Sequence, residues 1–330
     1  MPVVDADDLA EEDWQRVTFA AVWNPPPGLL AKCPNLQVVQ SLGAGVDSLL
    51  APGQVPEQLP ITRIVDPLMA QRMATWVVWG VINYQRKMES TQQRSAGAVG
   101  FDTCRRWDLS IEARSSRDNA DVAVGVMGLG GWRHVSSSPS AVWRATPLAW
   151  HAAATGVMGQ AAARQLLGLG YSVSGWSRTS SNHSACTAAG MRCYAGEQQL
   201  EAFARAQDVV VCLLPLTEQT TGIINARLLS WLRPGCAVIN GGRGRQLAEP
   251  DLLAALDRGQ VEFALLDVFD PEPLPPASRL WAHPRVRITP HVASMTTMET
   301  AADQIASNYH SVAAGKGPLP ANLVHRGRGY

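Results

Sequence analysis

Ala237-Val238-Ile239-Asn240-Gly241-Gly242-Arg243-Gly244 is an apolar run that stops abruptly on glycine and arginine. Two later runs repeat the plan. Phe263 to Val268 leads into Phe269-Asp270-Pro271-Glu272-Pro273, and Val286 to Thr289 ends at Pro290-His291. Short, unbroken apolar runs are the mark of strands buried on both faces, as in a parallel sheet. In such a sheet ligands bind outside the carboxyl ends of the strands, so Arg243, Glu272 and His291 are placed to converge on one site. A guanidinium grips a carboxylate or carbonyl oxygen with a fixed fork of donors. A histidinium held by a carboxylate can protonate an alkoxide as a hydride arrives. Each residue also has a plainer role open to it: Arg243 in a surface ion pair, Glu272 on a solvated loop, His291 as a loop histidine. Their joint placement at three strand ends favours the chemical reading, reduction of a carbonyl beside a carboxylate.

Working backwards, Asp121-Val122-Ala123-Val124-Gly125-Val126-Met127-Gly128-Leu129-Gly130 reads as a buried strand entering a glycine turn. A dinucleotide fold needs G-x-G-x-x-G here, so that backbone approaches the pyrophosphate and a helix N-terminus faces it. The third glycine is delayed until Gly156-Val157-Met158-Gly159-Gln160-Ala161, a helix start. Removing 131–156 restores Gly128-Leu129-Gly130-Val157-Met158-Gly159. The intervening stretch, with three of the chain's eleven tryptophans and no strand or helix period, therefore reads as an in-frame insertion of the kind retained non-coding sequence would leave. His134 and His151, within it, are not read as ligands, and no metal site is expected. Tyr171 to Trp176 is the next strand, ending on Ser177-Arg178-Thr179 where an NAD enzyme carries an acidic residue. An arginine among hydroxyls suits the 2'-phosphate of NADP, although Arg178 could also be a solvated loop cation.

Taken together, Val238-Ile239-Asn240-Gly241-Gly242-Arg243-Gly244, Leu266-Asp267-Val268-Phe269-Asp270-Pro271-Glu272-Pro273-Leu274-Pro275 and Thr289-Pro290-His291-Val292-Ala293 resemble the signatures of the D-isomer-specific 2-hydroxyacid dehydrogenases. Within that family the chain is most similar to the glyoxylate/hydroxypyruvate reductase A branch. The resemblance implies that Arg243 binds the 2-keto acid, His291 is the acid/base, and Glu272 holds His291 and favours its protonated form. It implies further that Gly128, Gly130, Val157, Met158, Gly159, Ser177, Arg178, Thr179, Leu214, Pro215, Thr217 and Asp267 bind the cofactor, with Asp267 accepting from the nicotinamide carboxamide. Asp267 could instead be a strand-end cap. Gly241 departs from the family's usual valine or alanine and loosens the strand end before Arg243.

Ser41-Leu42-Gly43-Ala44-Gly45-Val46-Asp47 follows an apolar run, Leu36 to Ser41. Two glycines around a small residue let backbone N–H groups point into a cleft, a nest suited to a carboxylate, although a plain turn fits as well. By resemblance Ala44, Gly45 and Val46 bind the substrate carboxylate. Trp23 and Met69 are expected to wall the pocket, with a core role open to each. Phe19 to Trp23 resembles a strand before which relatives carry another strand and helix, so the small sheet is expected to lack an outer strand.

The expected architecture is therefore α/β. A Rossmann-type doubly wound parallel sheet over 121–295 joins, through a crossover over 96–120, a smaller flavodoxin-like substrate domain over 1–95 that is N-terminally incomplete. The closing segment 296–330 is expected to pack back on that smaller domain. A chain of 330 residues suits two domains.

Equal numbers of basic and acidic residues, 28 each, leave no electrostatic footprint for nucleic acid or an anionic membrane. No apolar run nears the roughly 18 residues of a membrane span. Six unpaired-looking cysteines suit reduced thiols in a cytoplasmic setting. The function expected is NADPH-dependent reduction of glyoxylate and hydroxypyruvate by a homodimer. A dehydrogenase for bulkier 2-keto acids is one alternative; a nucleotide-sensing binding protein or pseudoenzyme with a disrupted cofactor turn is another.

Overall fold

The computed structural model describes residues 9–88, 117–129, 156–180, 183–319 and 322–328. They form two compact units, one of residues 9–68, 296–319 and 322–328, the other of residues 69–295 so far as described. Gly130, residues 131–155, Cys104, Trp107 and most of the crossover lie outside the described residues.

In the smaller unit, β1 (Phe19–Val22), β2 (Val38–Ser41) and β3 (Ile61–Thr62) pair parallel in the order β1-β2-β3. β2 is buried throughout and contributes Val39 to a core with Leu49 and Ile61. Its one large polar side chain, Gln40, is fully buried and must be satisfied internally. Gln40 Oε1 accepts from Thr62 Oγ1 and from Asn308 Nδ2, each at 2.7 Å, and Gln40 Nε2 donates to Ser41 O. Asn308 lies on the closing helix Met298–Ala313, whose N-cap Thr297 accepts from Thr300 N–H. Among the described residues β1 pairs on one side only.

The larger unit begins with α1 (Pro67–Arg86), of which Met69 onward belongs to it. The sequence reading placed this helix in the small domain, over 1–95; the division falls at Leu68 instead. The reason is packing. Met73, Trp76, Val77, Val81 and Tyr84, spaced for one helical face, are buried in one core with Val124, Val126, Ile239 and Leu265. Gly80 sits on the same stripe, where a Cβ would stand 2.6 Å from Leu265 Cδ2 and 2.9 Å from Ile239 Cδ1. Its missing side chain lets the helix lie on the sheet, and each buried apolar side chain contributes about 1.5–3 kcal/mol.

Seven parallel strands follow: β4 (Ala123–Met127), β5 (Ser172–Ser177), β6 (Arg192–Ala195), β7 (Val209–Cys212), β8 (Cys236–Asn240), β9 (Val261–Leu266) and β10 (Val286–Ile288). Their order is β10-β9-β8-β7-β4-β5-β6, so the chain winds outward from β4 in both directions. This is the doubly wound Rossmann sheet, with its switch point between β4 and β7, where such folds bind ligands. β7 and β8 are buried on every residue, as their apolar sequences require. α2 (Val157–Gly168) joins β4 to β5.

Candidate active site

At the switch point, glycine permits contacts that a side chain would block. Gly128 has φ 104°, and a Cβ there would stand 2.6 Å from Leu213 O. Gly159, in the first turn of α2, packs so closely that a Cβ would meet Gly128 O at 2.6 Å. Gln160 Nε2 donates to Leu129 O at 2.9 Å. The start of α2 is thus docked on the end of β4, as the rejoined glycine fingerprint requires, even though 26 residues separate the two halves in sequence. Gly156 caps α2 from the left-handed region without a side-chain hydrogen bond, leaving first-turn N–H groups of the kind that receive a pyrophosphate. The cradle, closed to any side chain at Gly128 and Gly159, fits a dinucleotide; Val157 and Met158 stand beside it in the same turn.

At the end of β5, Ser177 Oγ donates to Thr179 O at 2.8 Å, and Arg178 Nη1 donates to Gln219 Oε1 at 3.2 Å. Arg178 is therefore oriented by a neighbour. Past β7, Leu214, Pro215 and Thr217 form a knotted loop, in which Thr220 Oγ1 donates to Pro215 O at 2.7 Å and accepts from Thr217 N–H at 2.8 Å.

The three strand ends of the opening reading are linked by direct contacts. Past β8, Asn240 closes a tight turn, with Nδ2 donating to Arg243 O and Oδ1 accepting from Gly242 N–H, each at 3.1 Å. Gly244 lets that turn press on the loop past β9, since a Cβ would stand 1.9 Å from the carbonyl carbon of Phe269. Phe269 N–H donates to Glu272 Oε1 at 2.9 Å, and Glu272 Oε2 lies 2.8 Å from His291 Nδ1. Both side chains of that pair remain partly open to solvent, 37% for Glu272 and 42% for His291. Arg243 is half-buried, and its Nη1 donates to Gly242 O at 2.8 Å.

His291 has φ 54°, a conformation that costs a non-glycine residue roughly 1–3 kcal/mol and must be imposed from outside. Asp267, buried at 1% exposure, imposes it. Its Oδ1 accepts from Thr289 Oγ1 at 2.5 Å and from Val292 N–H at 2.9 Å, Oδ2 accepts from Ala293 N–H at 3.0 Å, and its carbonyl accepts from His291 N–H at 2.9 Å. Trp76 Nε1 extends the chain to Thr289 Oγ1 at 3.2 Å. The carboxylate expected at the nicotinamide is thus engaged with protein donors, as the strand-end alternative requires. Thr289 and Trp76 were not singled out in the sequence, where each reads as an ordinary strand-end or core residue.

In the smaller unit the Gly43–Val46 loop is held by its own residues. Ser41 Oγ donates to Gly45 O at 3.0 Å and accepts from Gly43 N–H at 3.2 Å, and Ile64 N–H donates to Gly43 O. Trp23, 60% exposed, covers Gly43, where a Cβ would stand 2.1 Å from Trp23 Cζ3. Met69 is buried. Among the described residues, no helix is long and apolar enough to cross a membrane.

A doubly wound sheet with a glycine cradle at its switch point, and an arginine turn clasped to a glutamate–histidine pair, defines an oxidoreductase that acts on CH–OH groups with a nicotinamide cofactor. Comparison with known proteins agrees. Residues 150–293 match the family model described as D-isomer specific 2-hydroxyacid dehydrogenase, NAD binding domain. The chain is 34% identical over 335 residues to the glyoxylate/hydroxypyruvate reductase A of Yersinia enterocolitica, covering 100% of this chain and 93% of that one. It is 36% identical to a D-isomer specific 2-hydroxyacid dehydrogenase from Xanthobacter autotrophicus solved with NADPH and MES, with a TM-score of 0.74 over 96% of this chain and 87% of that one. It is 33% identical to an NADPH-dependent glyoxylate/hydroxypyruvate reductase from Sinorhizobium meliloti solved with NADP and sulfate, with a TM-score of 0.76 over 95% and 86%. The chain belongs to the D-isomer-specific 2-hydroxyacid dehydrogenase family.

Proposed function

We propose that the protein reduces glyoxylate and hydroxypyruvate to glycolate and D-glycerate with NADPH. The observation that carries this reading is the contact chain from the Arg243 turn through Gly244 and Phe269 to Glu272 and His291. The relatives' names give the substrate class, and two similar structures hold NADPH or NADP.

The residues at the strand ends would hold a nicotinamide cofactor, which when bound would supply the hydride for the carbonyl carbon. Arg243 offers its guanidinium fork to the oxygens of the keto acid, which holds the substrate and draws electron density from the carbonyl. Because Nδ1 of His291 is taken by Glu272, Nε2 is the nitrogen left to deliver a proton to the carbonyl oxygen. Glu272 fixes the ring for that transfer. Hydride and proton together complete a two-electron reduction, and the neutral imidazole is then reprotonated from solvent.

Gly128, Gly159, Val157 and Met158 are assigned to the pyrophosphate, and Gly130, outside the described residues, joins them by sequence. Ser177, Arg178 and Thr179 are assigned to the 2'-phosphate, which is the basis for preferring NADPH over NADH. Leu214, Pro215 and Thr217 are assigned to the adenosine side. Asp267 serves chiefly by holding His291, and the family resemblance alone assigns it to the nicotinamide carboxamide. In the smaller unit, the amides of Ala44, Gly45 and Val46 are assigned to a carboxylate, and Trp23 to an apolar wall.

The exposed side chains of Trp79 and Ile82 on α1, 43% and 38% accessible, favour a homodimer, tested by comparing the solution mass of the wild type with that of Ile82→Lys. Five described cysteines are free thiols, which suits a reducing, cytoplasmic setting.

The deciding experiment follows NADPH consumption with glyoxylate for the wild type and His291→Asn. Turnover by the variant at near wild-type rate removes the mechanism. Tight NADPH binding without turnover by the wild type favours nucleotide sensing instead.

A further inference from the structure

Gln246 has no exposed surface, yet it lies three residues past Arg243 in the polar stretch Arg243-Gly244-Arg245-Gln246. Its amide is fully engaged by two different strand ends. Oε1 accepts from Arg243 N–H at 2.8 Å and lies 3.4 Å from Cys212 Sγ at the end of β7. Nε2 donates to Leu214 O at 2.9 Å and to Pro215 O at 3.1 Å. The fit is tight: a Cβ on Gly242 would stand 2.2 Å from Gln246 Oε1. On the opposite side of the same backbone, Ile224 N–H donates to Gln246 O at 2.9 Å, and Gly222 N–H to Arg245 O at 2.8 Å.

We infer that Gln246 is a positioning residue that locks the Arg243 turn to the Leu214–Pro215 loop, so that substrate-gripping and cofactor-covering elements hold a single mutual arrangement. The inference rests on the assignment of those two elements under the proposed function. An amide is the group this position requires. It presents an acceptor to a backbone N–H and donors to two carbonyls at once, which neither a carboxylate nor an apolar side chain of that shape can do. The bond to Leu214 O is buried, so removing its donor leaves that acceptor unsatisfied, while Pro215 O keeps Thr220 Oγ1 but loses its tie to the Arg243 turn, and the loop is free to shift.

Two variants test this, with thermal unfolding midpoints confirming that each is folded. Gln246→Met keeps the volume and removes every side-chain hydrogen bond. It is expected to weaken NADPH binding, followed by nucleotide fluorescence, about tenfold and to raise the KM for glyoxylate by a similar factor. Gln246→Glu keeps the acceptor for Arg243 N–H but turns a carboxylate oxygen toward Leu214 O and Pro215 O. At alkaline pH its NADPH affinity is expected to fall at least tenfold; as the pH drops and the buried carboxyl takes a proton, it donates again and affinity recovers. The wild type is expected to lack that pH-dependent recovery, and a purely structural role would not create it. Wild-type binding that Gln246→Glu matches at every pH overturns the inference alone. Failure of the wild type to bind NADPH at all overturns the proposed function and this inference with it.

Discussion

Glu272 spans two partners. One carboxylate oxygen accepts the Phe269 amide at 2.9 Å while the other meets His291 Nδ1 at 2.8 Å. The pair is thus tied to the backbone of its own loop, and the ring of His291 is aimed with Nε2 outward. His291→Asn is expected to lower kcat for glyoxylate by about 10²–10⁴-fold, the usual worth of a positioned proton donor. Glu272→Gln, which keeps the Phe269 contact through its amide oxygen, is expected to cost less, about tenfold to a hundredfold. Steady-state NADPH oxidation measures both; equal losses would count against a subordinate role for the glutamate.

Arg243→Lys preserves charge and discards the planar fork. It is expected to raise the KM for glyoxylate about tenfold to a hundredfold, equivalent to roughly 1.5–3 kcal/mol for the lost charge-assisted hydrogen bonds. NADPH affinity, titrated by fluorescence, is expected to change little. A lysine variant with wild-type KM would show that the guanidinium geometry is not used.

Arg178 is held by Gln219 at the end of β5, beside Ser177 and Thr179. Arg178→Ala is expected to raise the KM for NADPH at least tenfold while leaving that for NADH within about threefold, because only the former carries the extra phosphate. An equal effect on both cofactors would assign Arg178 to general loop structure.

The contact of Gly159 with Gly128 holds the first turn of α2 against β4. A chain lacking 131–156, with Gly130 joined to Val157, is expected to fold and to bind NADPH at least as tightly as the full chain. Gly159→Ala, whose Cβ would strike Gly128 O, is expected to weaken binding in both chains. Loss of folding on deletion, read from circular dichroism, would mean that the segment is an integral part of the domain.

Asp208 gives a stability test outside the site. Burial raises its pKa, but the side-chain hydrogen bond from Arg117, the Ala123 amide and the charges of Arg117 and Arg233 outweigh that and hold it below the ordinary 3.8. A carboxylate with a depressed folded value contributes stability that is complete above the unfolded value and lost as the pH falls through the folded one. Asp208→Asn is therefore expected to destabilise by about 1–3 kcal/mol at neutral pH, with the gap to wild type closing in acid below 3.8. Urea unfolding midpoints across that range decide it; a constant gap would exclude the linkage.

Much of this was legible because the signals are local. Unbroken apolar runs such as Cys236–Asn240 and Val209–Cys212 announce buried strands, and the polar residues that interrupt them mark strand ends where a parallel sheet gathers its ligand groups. Gly128 and Gly159 were recognisable across a long interruption because the backbone there tolerates no side chain. The assignment of α1 was not legible. Its apolar stripe shows that one face is buried but not against which sheet, and only the fit of Gly80 on Ile239 and Leu265 settles that. Gln246, Thr289 and Trp76 were missed for a related reason. Their polar atoms acquire meaning from partners more than 20 positions away, or from burial that a short polar stretch does not reveal.

By itself, then, the sequence determined the strand-and-helix alternation, the glycine turn and the placement of Arg243, Glu272 and His291 just past strand ends, since periodicity and backbone sterics act between near neighbours. Only the tertiary structure decided that Gly244 presses on Phe269, that Asp267 holds His291 in a left-handed conformation, and that α1 belongs to the larger unit from Met69 onward. Those are outcomes of close packing and of satisfying buried polar groups, and both depend on which distant segments come to share the same space.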